Sequence, residues 1–262
     1  MKTEYILEYP ISTLPIDKCA SFATDWLNDG NRCHWIACAN PHSYVTALKD
    51  LQFSEALRDA DLLIPDGAGI LLASQLLGGH INERVTGSDF FREIHRFLDQ
   101  KGSGRVFLLG STDQTLDALR IRLQTDFPNV TIAGTYSPPF KENYTESETA
   151  EMIQRINDSR ADVLWVGLSA PKQEKWIYQN RHRLNVKFAA AVGAVFDFYT
   201  GNVKRSHPFF QKIGLEWLPR LWQEPRRLWR RMFISAPIFM LHVIREMNLR
   251  RSRKNISYCT LK

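Results

Sequence analysis

The chain has 262 residues, of which 44% are hydrophobic, and its formal net charge is +6. This length can bury a substantial core, and it favours one main domain with an appendage. The four cysteines form no C-x-x-C pair and no cluster with histidine, which argues against a zinc site or a disulfide framework. The first residues lack the basic region and long apolar run of a secretory signal, so we expect a cytoplasmic protein.

Positive charge is concentrated at the end of the chain. Residues 204–262 contain fourteen Lys and Arg against three acids, a charge of +11, whereas residues 1–203 carry −5. We therefore divide the chain into a core, 1–203, and a basic C-terminal appendage, 204–262. Such an appendage suits an anionic partner, whether phospholipid headgroups, a diphosphate or nucleic acid.

Six apolar segments of the core are typical of buried strands, and turn or cap residues usually follow them before helical periodicity begins. In chain order they are 34–39, 61–65, 105–109, 130–134, 161–166 and 188–192. This alternation predicts an α/β fold with a parallel sheet. In doubly wound folds ligands bind at the carboxyl edge of the sheet, in the loops that follow the strands.

Asp66 stands in one of these loops, within the fragment 65–69 (PDGAG). A carboxylate there could accept a proton from a sugar hydroxyl, and the glycines allow a ligand to approach the backbone closely. The alternative is an N-cap aspartate at the start of a helix, which is a common role for Asp. The motif alone slightly favours the cap.

Two other loops are candidates for ligand contacts. Gly110 begins a turn, 110–112, whose helix N-terminal amides could bind a diphosphate, although the full G-x-G-x-x-G spacing is absent. Gln173 lies in a helical first turn behind Pro171 and could donate a hydrogen bond to a sugar or a base. The alternative for Gln173 is a solvated first turn, which sequence chemistry alone prefers.

The sequence becomes helical, aromatic and arginine-rich from Pro208 onward. Its apolar run from Met232 to Ile244 has thirteen residues, too few to cross a bilayer, which needs about 20. Tryptophan and arginine before the run and a basic cluster after it favour a helix lying in the membrane interface. The alternative is a pair of C-terminal helices packed on the core, with a solvated charged face.

Eight fragments in a fixed order resemble the WecG/TagA/CpsF glycosyltransferases. They are NP at 40–41, DGAG at 66–69, RVTGSD at 84–89, FLLG at 107–110, SPPF at 137–140, GLSAPKQE at 167–174, GAVFD at 193–197, and LEW at 215–217 with EPRR at 224–227. Each fragment is modest, but together they are specific. The resemblance moves Asp66 from the capping interpretation to a catalytic one.

This resemblance implies a Rossmann-like α/β core and a C-terminal helical appendage that contacts the membrane and helps complete the active site. It implies Asp66 as the general base. Cys38 is a departure, because many members have a threonine there and its hydroxyl contact is lost. The substrate-binding residues that it implies, including the arginines for the donor diphosphate, are Asn40, Cys38, Gly67, Arg84, Gln173, Asp197, Arg220, Arg227 and Arg230.

An inverting transfer without a metal is consistent with these residues. The sequence Asp59-Ala60-Asp61 spells a D-x-D motif, but it precedes a strand, at the end opposite the ligand edge. Arginine can replace a metal, because its planar fork donates two hydrogen bonds to phosphate oxygens. We therefore expect no cofactor and no metal.

The expected partners are a UDP-sugar donor, a polyprenyl-diphosphate-linked saccharide acceptor and an anionic membrane surface, and not nucleic acid. An appendage that completes a site is also compatible with a homo-oligomer. No residue decides among N-acetylmannosamine, its uronic acid and glucose as the donor sugar.

Three other classes of protein are alternatives for this sequence. A dinucleotide oxidoreductase would need a glycine-rich fingerprint after the first strand, which is absent. A nucleic-acid-binding protein would use the basic tail, and a non-catalytic scaffold would use it only for membrane attachment.

Overall fold

A computed structural model describes residues 3–29, 32–202 and 228–259, with side chains described through Ser252. The strands in this part of the chain are β1 (Thr3–Ile6), β2 (Tyr9–Ser12), β3 (His34–Ala39), β4 (Leu62–Pro65), β5 (Arg105–Gly110), β6 (Thr131–Tyr136), β7 (Val163–Gly167) and β8 (Phe188–Ala191).

The helices connect these strands and cover the sheet. They are α1 (Ile16–Asp25), α2 (Pro41–Ala47), α3 (Leu51–Asp59), α4 (Ala68–Leu76), α5 (Gly87–Lys101), α6 (Asp113–Asp126), α7 (Glu146–Asp158), α8 (Lys172–Asn180), α9 (Val195–Thr200) and α10 (Ala236–Cys259). A π-helical segment, Arg230–Ser235, leads directly into α10.

Strands β3 to β8 form one sheet in the order β4-β3-β8-β7-β5-β6, and every neighbouring pair is parallel. The six apolar segments predicted as strands are these six strands, and the Rossmann-like α/β prediction is confirmed. Helices on both faces bury large strand residues such as Trp35, Trp165 and Phe188. Burial on both faces explains why the strands are continuously apolar and not alternating.

The helices divide between the two faces of the sheet, and the division creates a crevice. Residues of α2, α3, α4, α7, α8 and α10 belong to one core cluster, and residues of α1, α5, α6 and α9 belong to the other. Strand β3 is followed by α2 on one face, while its neighbour β8 is followed by α9 on the opposite face. Neighbouring parallel strands whose helices diverge in this way leave a ligand crevice between their carboxyl ends.

An antiparallel hairpin of β1 and β2 packs beside β4 and was not predicted. Its strands have four residues each, and its turn is formed by Leu7 and Glu8, without glycine or asparagine. Leu7 adopts a left-handed φ of 57° that the sequence does not signal. The sequence thus lacks the turn residues by which a hairpin is usually recognised, and the hairpin could not be predicted from pattern alone.

The C-terminal helix α10 packs against α2 and α4. Phe239 and Val243 on its inner side are buried, and two hydrogen bonds join this region to α2: His42 Nδ1 to Ser235 Oγ (2.9 Å) and Tyr44 Oη to His242 Nδ1 (2.7 Å). Its outward side is apolar and carries arginines. The exposed large apolar residues from 228 onward are Trp229, Phe233, Ile234, Leu241, Ile244 and Leu249.

Within the described ranges, no helix combines the length and the apolar character that crossing a bilayer requires. The predicted boundary between core and appendage, after residue 203, falls in the stretch 203–227 outside the described residues, and it stays a prediction.

Candidate active site

Asp66 follows β4 at the carboxyl edge of the sheet. Its backbone N–H donates to the carbonyl of Ala39, the last residue of β3, at 2.8 Å. Helix α4 then begins with Gly67 as its N-cap residue, at a φ of 103° that disfavours any side chain. The N-cap position thus belongs to Gly67, and Asp66 stands one residue before it.

Gly69 brings the start of α4 against the start of α2. A Cβ atom added to Gly69 would lie 2.5 Å from Cγ of Pro41, so a larger residue would push the two helices apart. The glycines of the DGAG fragment therefore have separate roles, since Gly67 permits the turn and Gly69 permits the close approach. Both hold the Asp66 loop next to the Asn40 loop.

Asn40 directly follows β3 and caps α2. Its Oδ1 accepts hydrogen bonds from the backbone N–H groups of His42 (3.0 Å) and Ser43 (2.9 Å), while Ser43 Oγ accepts from the Asn40 N–H (2.8 Å). This capping box commits the side-chain oxygen to the helix. A contact from Asn40 to a ligand would therefore come from its Nδ2 group.

Cys38 lies in β3, at the position that departs from the threonine implied by the resemblance. Its Sγ is 3.9 Å from the carbonyl oxygen of Ala191 on β8. Burial raises the pKa of this thiol well above 9, and the carboxyl groups of Asp66 and Glu174 raise it further when they are ionised. Cys38 is thus a neutral thiol that interacts electrostatically with both carboxyl groups.

Gln173 lies at the start of α8 and is joined to the loop after β8. Its Oε1 accepts from the N–H of Gly193 at 2.9 Å, and its Nε2 donates to Glu174 Oε1 at 2.8 Å. Gln173 is 4% exposed and Glu174 is 3% exposed. The alternative of a solvated first turn is therefore wrong for Gln173, and its neighbour Glu174 is buried as well.

Arg84, in a loop, and Asp197, in a helical first turn, flank the same edge of the sheet. The N–H of Val85, next to Arg84, donates to the carbonyl of Pro65 at 3.0 Å, which places this loop along the end of β4. Asp197 lies in the first turn of α9, the helix that follows β8. The ends of β3, β4 and β8 thus bring together the segments that carry Asn40, Asp66, Arg84 and Asp197. Gln173 of α8 is hydrogen-bonded to Gly193, in the turn after β8.

Comparison with known proteins assigns the family. The sequence model described as "Glycosyl transferase WecG/TagA/CpsF family" matches residues 4–254. The chain belongs to this family.

Three relatives of this chain share the name N-acetylglucosaminyldiphosphoundecaprenol N-acetyl-beta-D-mannosaminyltransferase. The protein from Bacillus spizizenii (strain ATCC 23059 / NRRL B-14472 / W23) is 34% identical over 83% of this chain and 81% of its own length. The Bacillus subtilis (strain 168) protein is 32% identical over 80% and 79%. The Staphylococcus aureus (strain MW2) protein is 26% identical over 88% of both. The chain is accordingly a glycosyltransferase, as the resemblance implied.

The arginines assigned to the donor diphosphate are only partly described in this glycosyltransferase. Arg220 and Arg227 lie outside the described residues. Arg230 is exposed in the π-helical segment before α10. Ser235, the last residue of this segment, is hydrogen-bonded to His42 of α2. Because Asn40 caps α2, the segment that carries Arg230 is held to the helix that begins at the crevice.

The D-x-D spelling at 59–61 lies at the amino edge of the sheet, as expected. Asp59 forms an ion pair with Arg181, and Asp61 pairs with Arg32 and accepts from the backbone N–H of Trp35 at 3.0 Å. Both carboxylates therefore hold the fold together at the end away from the crevice. No group of three or more potential metal ligands occurs among the residues that the structure describes.

Sequence reasoning did not single out Glu174, the neighbour of Gln173. A glutamate in the first turn of a helix is usually solvated and ionised, and its negative charge then interacts favourably with the helix dipole. Glu174 is instead buried, and burial raises the pKa of its carboxyl group to about 7. The available signal was its place beside Gln173 in the fragment 167–174.

Proposed function

We propose that this glycosyltransferase moves a sugar from a UDP-sugar to a polyprenyl-diphosphate-linked saccharide, with inversion and without a metal, in cell-surface polysaccharide synthesis. The observation that carries the proposal is the position of Asp66, directly after β4 and hydrogen-bonded through its backbone to the end of β3, beside the crevice. A carboxylate at this place is suited to activating a hydroxyl group.

The proposed chemistry is a single displacement at the anomeric carbon. The acceptor hydroxyl oxygen forms the new glycosidic bond while the bond to the UDP oxygen breaks, and Asp66 takes the hydroxyl proton. The departing diphosphate gains negative charge, which guanidinium groups of Arg220, Arg227 and Arg230 would stabilise. The Asn40 Nδ2 group would orient the acceptor, while Arg84, Gly67, Gln173 and Asp197 would shape the donor side.

The acceptor and the donor sugar are proposed from the relatives. Their printed name specifies an N-acetylglucosaminyl-diphosphoundecaprenol acceptor and an N-acetylmannosaminyl group that is transferred. We extend the acceptor class to this chain, and we place the donor sugar in the N-acetylmannosamine, mannosaminuronic acid or glucose type. Cys38 is the position at which sugar preference would differ from that of members with threonine, because a thiol is a weaker hydrogen-bond donor than a hydroxyl.

Association with the inner face of the cell membrane is proposed from the outward side of α10 and the segment before it. The exposed Trp229, Phe233, Leu241 and Ile244 present apolar area, and Arg230 adds positive charge nearby. This combination is typical of a helix that lies in the headgroup region of anionic membranes. A docked appendage would bring the crevice to a lipid-linked acceptor, and self-association of the chain is compatible with it.

The test is transfer by the purified full chain with chelator present. A panel of UDP-sugars is incubated with a polyprenyl-diphosphate-saccharide, and UDP release is measured together with the lipid product. We expect release with one donor class, its survival in chelator, and its collapse in Asp66→Asn. Asp117→Asn, which changes an exposed aspartate on α6, is the matched control and should retain activity. Strict dependence on a divalent cation would contradict the metal-free mechanism, and no release with any donor would contradict the proposed function.

A further inference from the structure

Glu174 is a buried acid, and only one of its two carboxyl oxygens has a hydrogen-bond partner among the described residues. Its Oε1 accepts from Gln173 Nε2, whereas its Oε2 is buried and has no hydrogen-bond partner in the described part of the chain. A carboxylate left in this state would keep a buried charge without compensation, which is costly. The protonated form of Glu174 avoids that charge.

The two lysines that flank Glu174 on its own helix are bonded to other groups and do not neutralise its carboxyl group. On its own helix, Lys172 Nζ donates to the carbonyl of Lys141 (2.7 Å), and Lys175 Nζ pairs with Asp50 Oδ2 (2.8 Å). On strand β3, Cys38 is a neutral thiol, and its pKa is affected by both Glu174 and Asp66.

The other ionisable groups at this edge of the sheet are of both signs. Asp66 follows β4, and Asp197 stands in the first turn of α9, beyond the Gly193 turn to which Gln173 is bonded. Arg84 stands at the same edge, in the loop whose Val85 N–H donates to the carbonyl of Pro65 (3.0 Å), so the titratable groups there are two acids, a thiol and a guanidinium. Burial, and not a charged neighbour, therefore raises the pKa of Glu174, because a buried carboxylate loses its hydration.

We propose that Glu174 is a positioning residue of the donor site, which holds the Gln173 amide against the Gly193 backbone and must be neutral when the sugar nucleotide binds. This inference rests on the proposed function, because it supposes an anionic diphosphate in the crevice. Neutral Glu174 anchors Gln173 without repelling the donor. Ionised Glu174 would add a like charge near the diphosphate and would draw water toward its buried oxygen.

The pKa of Glu174 places this change in a measurable range. Burial raises it to about 7, so the carboxyl group loses its proton between roughly pH 6 and 8. A second negative charge within the same crevice weakens anion binding by about tenfold at an effective dielectric constant of about 20. The donor KM should therefore rise about tenfold from pH 6 to pH 9, whereas kcat should change less.

The experiment compares Glu174→Gln with the wild-type chain. Glutamine is neutral at every pH and can still accept from Gln173, so the donor KM of Glu174→Gln should stay flat with pH and lie within about threefold of the wild-type value at pH 6. Glu174→Leu removes the acceptor and should raise KM at every pH. Glu151→Gln, which alters an exposed glutamate on α7, is the matched control and should keep the wild-type pH profile.

A readout without turnover separates this inference from the proposed function. The infrared difference spectrum between wild type and Glu174→Gln should contain the carbonyl band of a protonated carboxylic acid at pH 6, and the band should disappear by pH 9. Absence of the band at pH 6, or a wild-type pH profile of KM in Glu174→Gln, would overturn the role of Glu174. Failure of transfer with every donor would overturn the proposed function, while the infrared band would still report on Glu174.

Discussion

Tyr44 and His242 lie 198 positions apart in the chain, yet the Tyr44 phenol oxygen is 2.7 Å from Nδ1 of His242. The two rings also meet edge to face, with centroids 5.6 Å apart. Tyr44 belongs to α2, the helix that Asn40 caps at the crevice, and His242 belongs to α10. The C-terminal helix is therefore held to the element that begins at the candidate active site.

This contact predicts coupling between the two residues in stability. Tyr44→Phe removes the hydroxyl but keeps the ring, and His242→Ala removes its partner. A double-mutant cycle on the free energy of unfolding in urea should give a coupling of about 1 kcal/mol, the usual contribution of a partly buried hydrogen bond. Additive effects of the two substitutions would show that the hydrogen bond contributes nothing.

Replacement of the Asp66 carboxylate should separate binding from chemistry. In Asp66→Asn the amide cannot take a proton, so kcat should fall about 10²- to 10⁴-fold, the range of general-base catalysis. The Kd of the sugar nucleotide, measured by calorimetry, should change only a few-fold, because the amide has nearly the same shape. A normal kcat, or a complete loss of donor binding, would be inconsistent with a general base at this position.

Burial of Glu174 predicts that stability depends on pH in a definite direction. The pKa of its carboxyl group is raised from 4.5 to about 7 in the folded chain, so the folded state binds the proton more tightly than the unfolded state. The resulting stabilisation is fully present below about pH 4.5 and is lost as pH rises through 7, with a total of about 3 kcal/mol.

Urea unfolding at pH 5 and pH 8 measures this term as a difference between variants. The loss of stability from pH 5 to pH 8 should be smaller in Glu174→Gln than in the wild type. Glu151→Gln again serves as the control, because its side chain is exposed. Equal losses in wild type and Glu174→Gln would mean that Glu174 ionises normally in the folded chain.

Two glycines with left-handed backbones should respond differently to alanine. Gly110 has a φ of 112°, and an added Cβ would lie 2.7 Å from the backbone of Gly167, whereas Gly102 has a φ of 72° and open space around it. Gly102→Ala should cost about 1 kcal/mol, from backbone strain alone. Gly110→Ala should cost about 3 kcal/mol or more, because strands β5 and β7 must also separate. Thermal and urea unfolding test the ranking, and equal costs would contradict it.

The outward side of α10 should control membrane binding. Replacing Leu241 and Ile244 together by serine removes exposed apolar area and should lower the affinity for vesicles containing anionic lipid about tenfold. Ile121→Ser changes a similarly exposed residue on α6 and should leave vesicle binding unchanged. Co-sedimentation with vesicles measures both. Equal binding by the double variant and the wild type would place the membrane surface elsewhere.

Much of the fold and of the site edge followed from local pattern. Strands buried on both faces must be continuously apolar, so β3 to β8 were recognisable from their composition, and the ends of parallel strands must share one edge. That edge places Asn40 and Asp66 at the same end of the sheet, and they lie close together because β3 and β4 are neighbours. The hairpin of β1 and β2 was missed, because the turn at Leu7 uses a backbone conformation that leucine does not signal.

The amino-acid sequence by itself determined the α/β class, the edge at which ligands would bind and the family of the chain, since these depend on periodicity and on short motifs. Only the tertiary structure decided that β8 lies between β3 and β7, that Gln173 bonds to Gly193, and that Glu174 is buried. Spacing along a helix tells which residues share a face, but the solvent exposure of a carboxyl group depends on what packs over it. For that reason the ionisation of Glu174 is a property of the assembled fold.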